Sequence, residues 1–255
     1  MITIKKPEEI EILKECGKRL SGIMKEIVKA VSPGVSTKEL NDLANKLAKE
    51  GGDVPSFLNY SPDGASRRYP ASLCVSINDE VVHGIPNEDP KILKNGDIVS
   101  LDMGLTHKGF ITDMAVTVPV GQIDEKAEKL IEITKKALHI GIKSARGGKR
   151  VGDIGYAIEN FVIPFNYGIV EDLAGHGVGY KVHEDPYVPN VGNKDEGPKL
   201  KPGMVIAIEP MLNEGTPMII LDKDGYTFKT ADGKRSAHFE HTIVITEKEP
   251  IILTV

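Results

Sequence analysis

Asp102 and Asp113 stand eleven positions apart in the stretch Gly96-Asp-Ile-Val-Ser-Leu-Asp102-Met-Gly-Leu-Thr-His-Lys-Gly-Phe-Ile-Thr-Asp113-Met-Ala-Val-Thr-Val118. Both flanks are rich in β-branched residues, and His107-Lys108-Gly109 lies between them, so the segment reads as two antiparallel strands joined by a tight turn. With His107 and Lys108 as the two-residue loop, Thr106 pairs with Gly109. Asp102 then falls directly opposite Asp113, with the Cβ atoms ~5 Å apart. Carboxylates so placed repel each other, and burial in apolar strands makes unpaired charge costly. A shared proton, a basic side chain or a metal ion is expected between them. Taken alone, the pair also fits a plainer reading, two aspartates that keep an outer sheet face soluble.

Four further stretches carry polar residues that strand or turn chemistry does not require. Gly175-His176-Gly-Val-Gly179 runs on to His183-Glu184-Asp-Pro186 and places two imidazoles around a glycine-dense turn. Glu209 closes the apolar run Met204 to Ile208 just before Pro210, where a carboxylate is costly unless it is paired or ligates a cation. Glu240 opens another β-forming run, and Val82-His83-Gly84-Ile85-Pro86 adds a third histidine. Each alone passes as a turn or strand-end residue. Together, Asp102, Asp113, Glu209, Glu240 and His176 make four carboxylates and one imidazole, which cannot share a pocket without cations. One histidine among oxygen ligands suits Mn²⁺, Fe²⁺ or Co²⁺ better than a closed structural zinc, and the set points to a two-metal hydrolytic site.

The elements that must hold these residues follow from periodicity. Pro7 to Val31 and Leu40 to Ala48 carry helical apolar stripes, the second opened by a Ser36-Thr-Lys-Glu39 capping box and stopped at Gly51-Gly52. Asp53 to Pro70 reads as a surface loop of functional length, Ala71 to Ile77 as a strand, and Asn78 to Pro90 as a loop. Two more amphipathic helices follow, from Ala127 to Ala145 and from Val151 to about Pro164. Strand-like runs come at Ile169 to Leu173, Met204 to Ile208, Met218 to Leu221 and Phe239 to Thr246. A shift of 114 residues lays Gly34 on Gly148, Leu40 on Ile154, Ala44 on Ile158 and Leu47 on Phe161. The expectation is one α+β domain over 1–255, built from two related halves with the site between them.

Composition narrows the function classes. The 255 residues are 40% hydrophobic and 27% charged, enough for a real core, and the net charge of -5 is spread without a basic stripe. Direct binding to nucleic acid is not expected. Cys16 and Cys74 are the only cysteines, which gives neither a disulfide framework nor a Cys-rich zinc motif. No signal-peptide core and no run of ~18 apolar residues is present, so the expected location is the cytoplasm, away from the membrane. Monomer is the default.

The ordered motifs around His83, Asp102, Asp113, His176 to Pro186, Lys201-Pro-Gly-Met204 with Glu209-Pro210, and Glu240-His241-Thr242 resemble the type I methionine aminopeptidases over essentially the whole length. The resemblance implies the pita-bread fold, two pseudo-symmetric halves each of two helices packed on a curved antiparallel sheet. It implies two divalent ions, Co, Mn, Fe or Zn, with Asp102 on one, Asp113 and Glu240 bridging, and His176 with Glu209 on the other. A hydroxide held between them would attack the scissile carbonyl, Glu209 would shuttle the proton, and His83 and His183 would hold the substrate. Tyr69, Cys74 and Tyr226 match positions that line the methionine side-chain pocket. Val182 replaces a usual large aromatic, and Ser66, Arg67 and Arg68 replace a glycine and tyrosines. The implied activity is removal of the initiator methionine from nascent chains near the ribosome, favouring a small second residue. Proline-specific peptidases of the same fold, and an inert binding module that keeps the fold, are the alternatives.

Overall fold

In the computed structural model, which describes residues 1–61 and 67–255, chain order is helices, strands, helices, strands. Helix α1 (Pro7–Ala30) starts at a proline, and the Lys6 amide donates to the Glu9 carboxylate at 2.7 Å. Helix α2 (Thr37–Glu50) has the expected box: the Ser36 amide donates to Glu39 (2.8 Å) and the Glu39 amide to Ser36 Oγ (3.2 Å). Strands β1 (Val54–Pro55), β2 (Cys74–Ile77), β3 (Glu80–Val82), β4 (Ile98–His107) and β5 (Phe110–Pro119) complete the first half. The second half opens with α3 (Glu125–Ser144) and α4 (Val151–Val162). It continues through β6 (Gly168–Ile169), β7 (Gly175–Gly177), β8 (Glu184–Val188), β9 (Val205–Ile208) and β10 (Met211–Asn213). Strands β11 (Ile219–Leu221), β12 (Phe228–Thr230), β13 (Ser236–His238), β14 (Glu240–Val244) and β15 (Ile251–Ile252) end it.

The main sheet runs β1-β4-β5-β14-β9-β7-β8, with β2 on β4 and β15 on β14. Two three-stranded sheets, β13-β10-β6 and β11-β12-β3, complete it, and every pairing is antiparallel. The expected α+β class therefore holds. Strand period two decides what faces the helices. Val99, Leu101, Met103 and Leu105 of β4 join Leu20, Met24, Ile27 and Leu40 of α1 and α2 in one core. Ile206 and Ile208 of β9 and Ile243 of β14 join Leu130, Leu138, Ile154 and Ile158 of α3 and α4 in another. Asp102, Asp113, Glu209 and Glu240 are thereby left on the sheet face away from the helices.

The two halves repeat in detail. Gly34 and Gly148 both have positive φ, their amides donate to Leu93 and Leu200, and Ser36–Ile92 and Arg150–Lys199 are matching isolated bridges. Leu40, Ile154, Ala44 and Ile158 are all buried, as the 114-residue shift requires.

The hairpin register differs from the expected one. His107 pairs with Phe110, so the loop is Lys108-Gly109, with φ of 48° and 83°. Both loop positions of this turn need positive φ, and glycine takes the second without strain, whereas a His107-Lys108 loop would put two side-chain-bearing residues there. Asp102 faces Ala115 and Asp113 faces Gly104, so the aspartates are diagonal neighbours on one face rather than directly opposed. Three other expectations also change. The 53–70 segment is not merely a surface loop, since β1 pairs with β4 and Phe57 and Tyr69 are buried. The Asn78 to Pro90 segment contains β3, and the Ile169 to Leu173 run shortens to β6.

Candidate active site

All ten residues singled out from sequence line one cleft of about 130 Å³: Asp102, Asp113, His176, Glu209 and Glu240, with His83, His183, Tyr69, Cys74 and Tyr226. The carboxylates come from equivalent places in the two halves. A shift of 107 residues lays Leu93 on Leu200, Gly96 on Gly203, Leu101 on Ile208, and Asp102 on Glu209. The central strands β5 and β14, which carry Asp113 and Glu240, pair with each other across the join. Thr242 locks that join, its hydroxyl accepting from the Asp113 amide (2.8 Å) and donating to the Asp113 carbonyl (2.7 Å).

His176 is placed by its neighbours. A Cβ on Gly177 would stand 2.1 Å from the Asp185 carbonyl oxygen, so only glycine lets β7 lie this close to β8. The His176 Nδ1 donates to the Gly177 carbonyl at 2.9 Å, which fixes the tautomer and leaves Nε2 bare, 3.5 Å from Glu209 Oε1. Ligand-type atoms of Asp113, His176 and Glu240 all lie within 4.8 Å of one another.

His83 follows β3 with φ of 60°, a left-handed conformation that few side-chain-bearing residues adopt and one found disproportionately at functional sites. His183 sits with its ring centroid 4.4 Å from that of His176, and its Nδ1 is 2.6 Å from the Tyr60 hydroxyl. The next residue, Glu184, anchors the turn through a buried ion pair with Lys5 (2.7 Å) and through the Lys181 amide (3.0 Å).

Electrostatics follow from burial. Asp102, Asp113 and Glu240 are 7%, 3% and 2% exposed, and each has a carboxylate oxygen without a hydrogen-bond partner among the described residues. Burial pushes Asp113 up to about 8, and Glu209 adds to it; burial also pushes Glu209 to about 8. Burial followed by the neighbouring carboxylates drives Asp102 and Glu240 well above the usual range. The imidazoles move the other way: burial lowers His83 to about 4 and His176 to about 3. No lysine or arginine is among the described residues lining the cleft, so the basic side chain drops out as a partner for the carboxylates. Protons or metal ions remain. Orphaned carboxylate oxygens around a bare imidazole nitrogen make a donor set that fits divalent cations.

One wall is apolar. Phe57, Tyr69, Ala71, Cys74, Val182 and Tyr226 form a single buried cluster, with the Tyr69 and Tyr226 rings edge-on at 5.2 Å. Tyr69 donates to the Gly84 carbonyl at 2.9 Å and Tyr226 to the Arg67 carbonyl. Arg67 is engaged by both Glu88 oxygens (2.7 and 2.8 Å) and by the Asp224 carbonyl (3.0 Å). Ser66 lies outside the described residues.

Comparison with known proteins decides the family. The sequence profile of metallopeptidase family M24 matches residues 11–247. The chain belongs to metallopeptidase family M24. This M24 chain is 46% identical to an Aquifex aeolicus methionine aminopeptidase over 250 residues, covering 96% of each protein. It is 43% identical to Bacillus subtilis methionine aminopeptidase 1 over 254 residues, covering 100% of this chain and 99% of that one. A crystal structure of Thermotoga maritima methionine aminopeptidase superposes with a TM-score of 0.94 at 41% identity, over 100% of this chain and 99% of the other. The architecture is thus the pita-bread fold, and the M24 chain is a hydrolase of a family that works with divalent metal.

Sequence reasoning did not single out Phe57, Tyr60 or His238 as site residues. Phe57 and Tyr60 lie in a stretch with no periodicity, where aromatic side chains among polar ones are the only signal. His238 stands two residues before Glu240, on the same strand-to-strand passage, with its ring 3.5 Å from Glu209 Oε2.

Proposed function

We propose that this M24 chain is a methionine aminopeptidase that removes the initiator methionine from nascent proteins, favouring a small second residue. The observation that carries the reading is the convergence, on the two central strands and their neighbours, of three buried carboxylates, the half-buried Glu209 and a tautomer-fixed imidazole beside an apolar wall. Asp102, Asp113, His176, Glu209 and Glu240 would hold two divalent ions, Asp113 and Glu240 shared between them. Bound there, such ions supply Lewis acidity and lower the pKa of water toward neutrality. Manganese, iron and cobalt suit the mixed oxygen and imidazole donors, and zinc is the other member of the set.

The chain's own groups supply the rest. Glu209 takes up the proton released by the attacking water and passes it to the leaving amine. His83 and His183 are neutral at pH 7 because burial lowers both, so each offers an N–H to the substrate carbonyl and to the charge that grows on its oxygen. Tyr69, Cys74, Phe57 and Tyr226 take the methionine side chain, each buried CH₂ contributing roughly 0.8 kcal/mol. Val182 leaves that wall thinner than a large aromatic would. The Tyr60 hydroxyl occupies His183 Nδ1, which leaves Nε2 for the substrate. Tyr60→Phe is therefore expected to lower kcat roughly ten-fold with KM little changed. Wild-type kcat in steady-state assays of that variant would remove Tyr60 from the scheme.

In this reading the two halves work as one catalytic domain in the cytoplasm, a monomer acting on chains as they leave the ribosome. The deciding experiment adds Mn²⁺ or Co²⁺ to chelator-stripped protein with an equimolar mixture of Met-Ala-Ser, Leu-Ala-Ser and Ala-Pro-Ser, followed by mass spectrometry. Metal-dependent release of methionine alone is expected. Cleavage of Ala-Pro-Ser alone would move the chain to the proline-specific branch, and no cleavage with either metal would overturn the assignment.

A further inference from the structure

His238 ends β13 and is 1% exposed. Its backbone is clasped by one hydroxyl: the His238 amide donates to Thr117 Oγ1 and Thr117 Oγ1 pairs with the His238 carbonyl, both at 2.8 Å. Because Thr117 lies on β5, this clasp fixes His238 relative to the strand that carries Asp113. The ring is a different matter. Neither Nδ1 nor Nε2 has a hydrogen-bond partner among the described residues. A buried neutral imidazole always carries one N–H, and leaving it unsatisfied is costly. The group it points at is Glu209: Nε2 stands 3.5 Å from Oε2, while the other carboxylate oxygen, Oε1, stands 3.5 Å from His176 Nε2. Glu209 is thus held between two imidazoles that differ in kind. His176 belongs to the cluster with Asp113 and Glu240, whereas His238 does not join it.

We propose that His238 is a positioning residue whose Nε2–H donates to Glu209 Oε2, so that Oε1 is the oxygen left for the cation and for proton transfer. A carboxylate free to rotate would present either oxygen, and both its ligation and its proton transfers depend on which one is presented. The inference rests on the reading of Glu209 as ligand and proton carrier.

Three variants test it. His238→Met fills the site without a donor, His238→Gln keeps an N–H that can reach Oε2, and Asp102→Ala tests the underlying site assignment on its own. Steady-state kinetics on Met-Ala-Ser are paired with calorimetric Mn²⁺ titration of the chelator-stripped proteins. His238→Met should lose roughly ten-fold in kcat with KM within about two-fold, and bind Mn²⁺ roughly ten-fold more weakly at unchanged stoichiometry. His238→Gln should recover most of both losses. Wild-type kcat and affinity in His238→Met, or equal impairment in the Met and Gln variants, would overturn the proposal. Full activity in Asp102→Ala would instead sink the metal-site reading on which it depends. Should the Met variant not fold, Gln with wild-type values supports the donor and Gln with the full loss refutes it.

Discussion

Glu240→Gln is expected to abolish turnover while leaving the metal-free protein at least as stable as the wild type. Most substitutions of a 2% exposed residue move activity and stability down together. Here they should part, because Glu240 sits in the cleft at a standing electrostatic cost. Burial raises its pKa, and Asp113, Glu209 and Asp102 raise it further, so ionising it is opposed by every acidic neighbour. Glutamine keeps the shape and removes the charge. At pH 7 the metal-free variant should melt no lower than the wild type. As pH rises and the wild type is driven to ionise, the variant should melt increasingly higher than the wild type, each ~1 kcal/mol being worth roughly 2–4 °C for a chain of this size. Turnover should fall by at least about 10²-fold, since the proposed function has Glu240 ligating the metal. A variant that is both active and less stable would mean that Glu240 is a structural residue.

The second large effect concerns pH. Asp113 and Glu209 titrate near 8 in the metal-free fold against about 4 in the unfolded chain, and Asp102 and Glu240 are also raised. The fold therefore binds these protons more tightly than the unfolded chain. The stability that Asp113 and Glu209 lend is complete below about pH 4 and is lost as pH rises through about 8, and Asp102 and Glu240 act in the same direction. His83 and His176 have the opposite sign: their pKa values of about 4 and 3 lie below 6.5, so stability is lost as pH falls beneath 6.5. The two sets oppose each other between pH 4 and 6.5. From pH 6.5 to 8 only the carboxylates act, at up to about 1.4 kcal/mol per pH unit for each group. Metal-free protein should therefore melt lower at pH 8 than at pH 6.5, by on the order of 10 °C. Metal ions compete with the same protons, so Mn²⁺ affinity should climb over this window and binding at pH 7 should release protons. Thermal melts and calorimetry in buffers of different ionisation enthalpy test both halves; a flat or rising melting temperature with rising pH would refute the charge assignment.

How much of this was readable without coordinates can be judged residue by residue. The helices were legible because their stripes and caps are local: Ser36 and Glu39 announce α2 within four positions. The carboxylates were legible because an acid in or beside an apolar strand is an anomaly, as at Glu209 after Ile208. The hairpin register was missed by one residue, since a turn depends on which positions accept positive φ, and His107 holds its strand position through Asp53 (2.6 Å), a partner 54 residues away. Strands β7 and β8 were hidden because Gly175 and Gly177 serve in β7 for close approach between backbones and Pro186 stands within β8, which removes the β-branched signature. The correspondence of Asp102 with Glu209 escaped the 114-residue comparison because the spacing changes to 107 between the helices and the strands. Tyr60 and His238 reach the cleft only through contacts across the fold, and neither carries a pattern of its own.

The seam between the halves has a further consequence. Strands β5 and β14 pair only at Glu240 with Ala115 and His241 with Met114, and the two acids nearest that seam, Asp113 and Glu240, come one from each side. Any ion shared by them fastens the seam as well as arming the cleft, and a ligand that binds only the folded state lowers the population of opened molecules by mass action. In a cell, chains starved of the ion would open more often and meet proteases sooner. Metal supply would then set the lifetime of the protein as well as its activity, so its abundance should fall in depleted medium without any change in its synthesis.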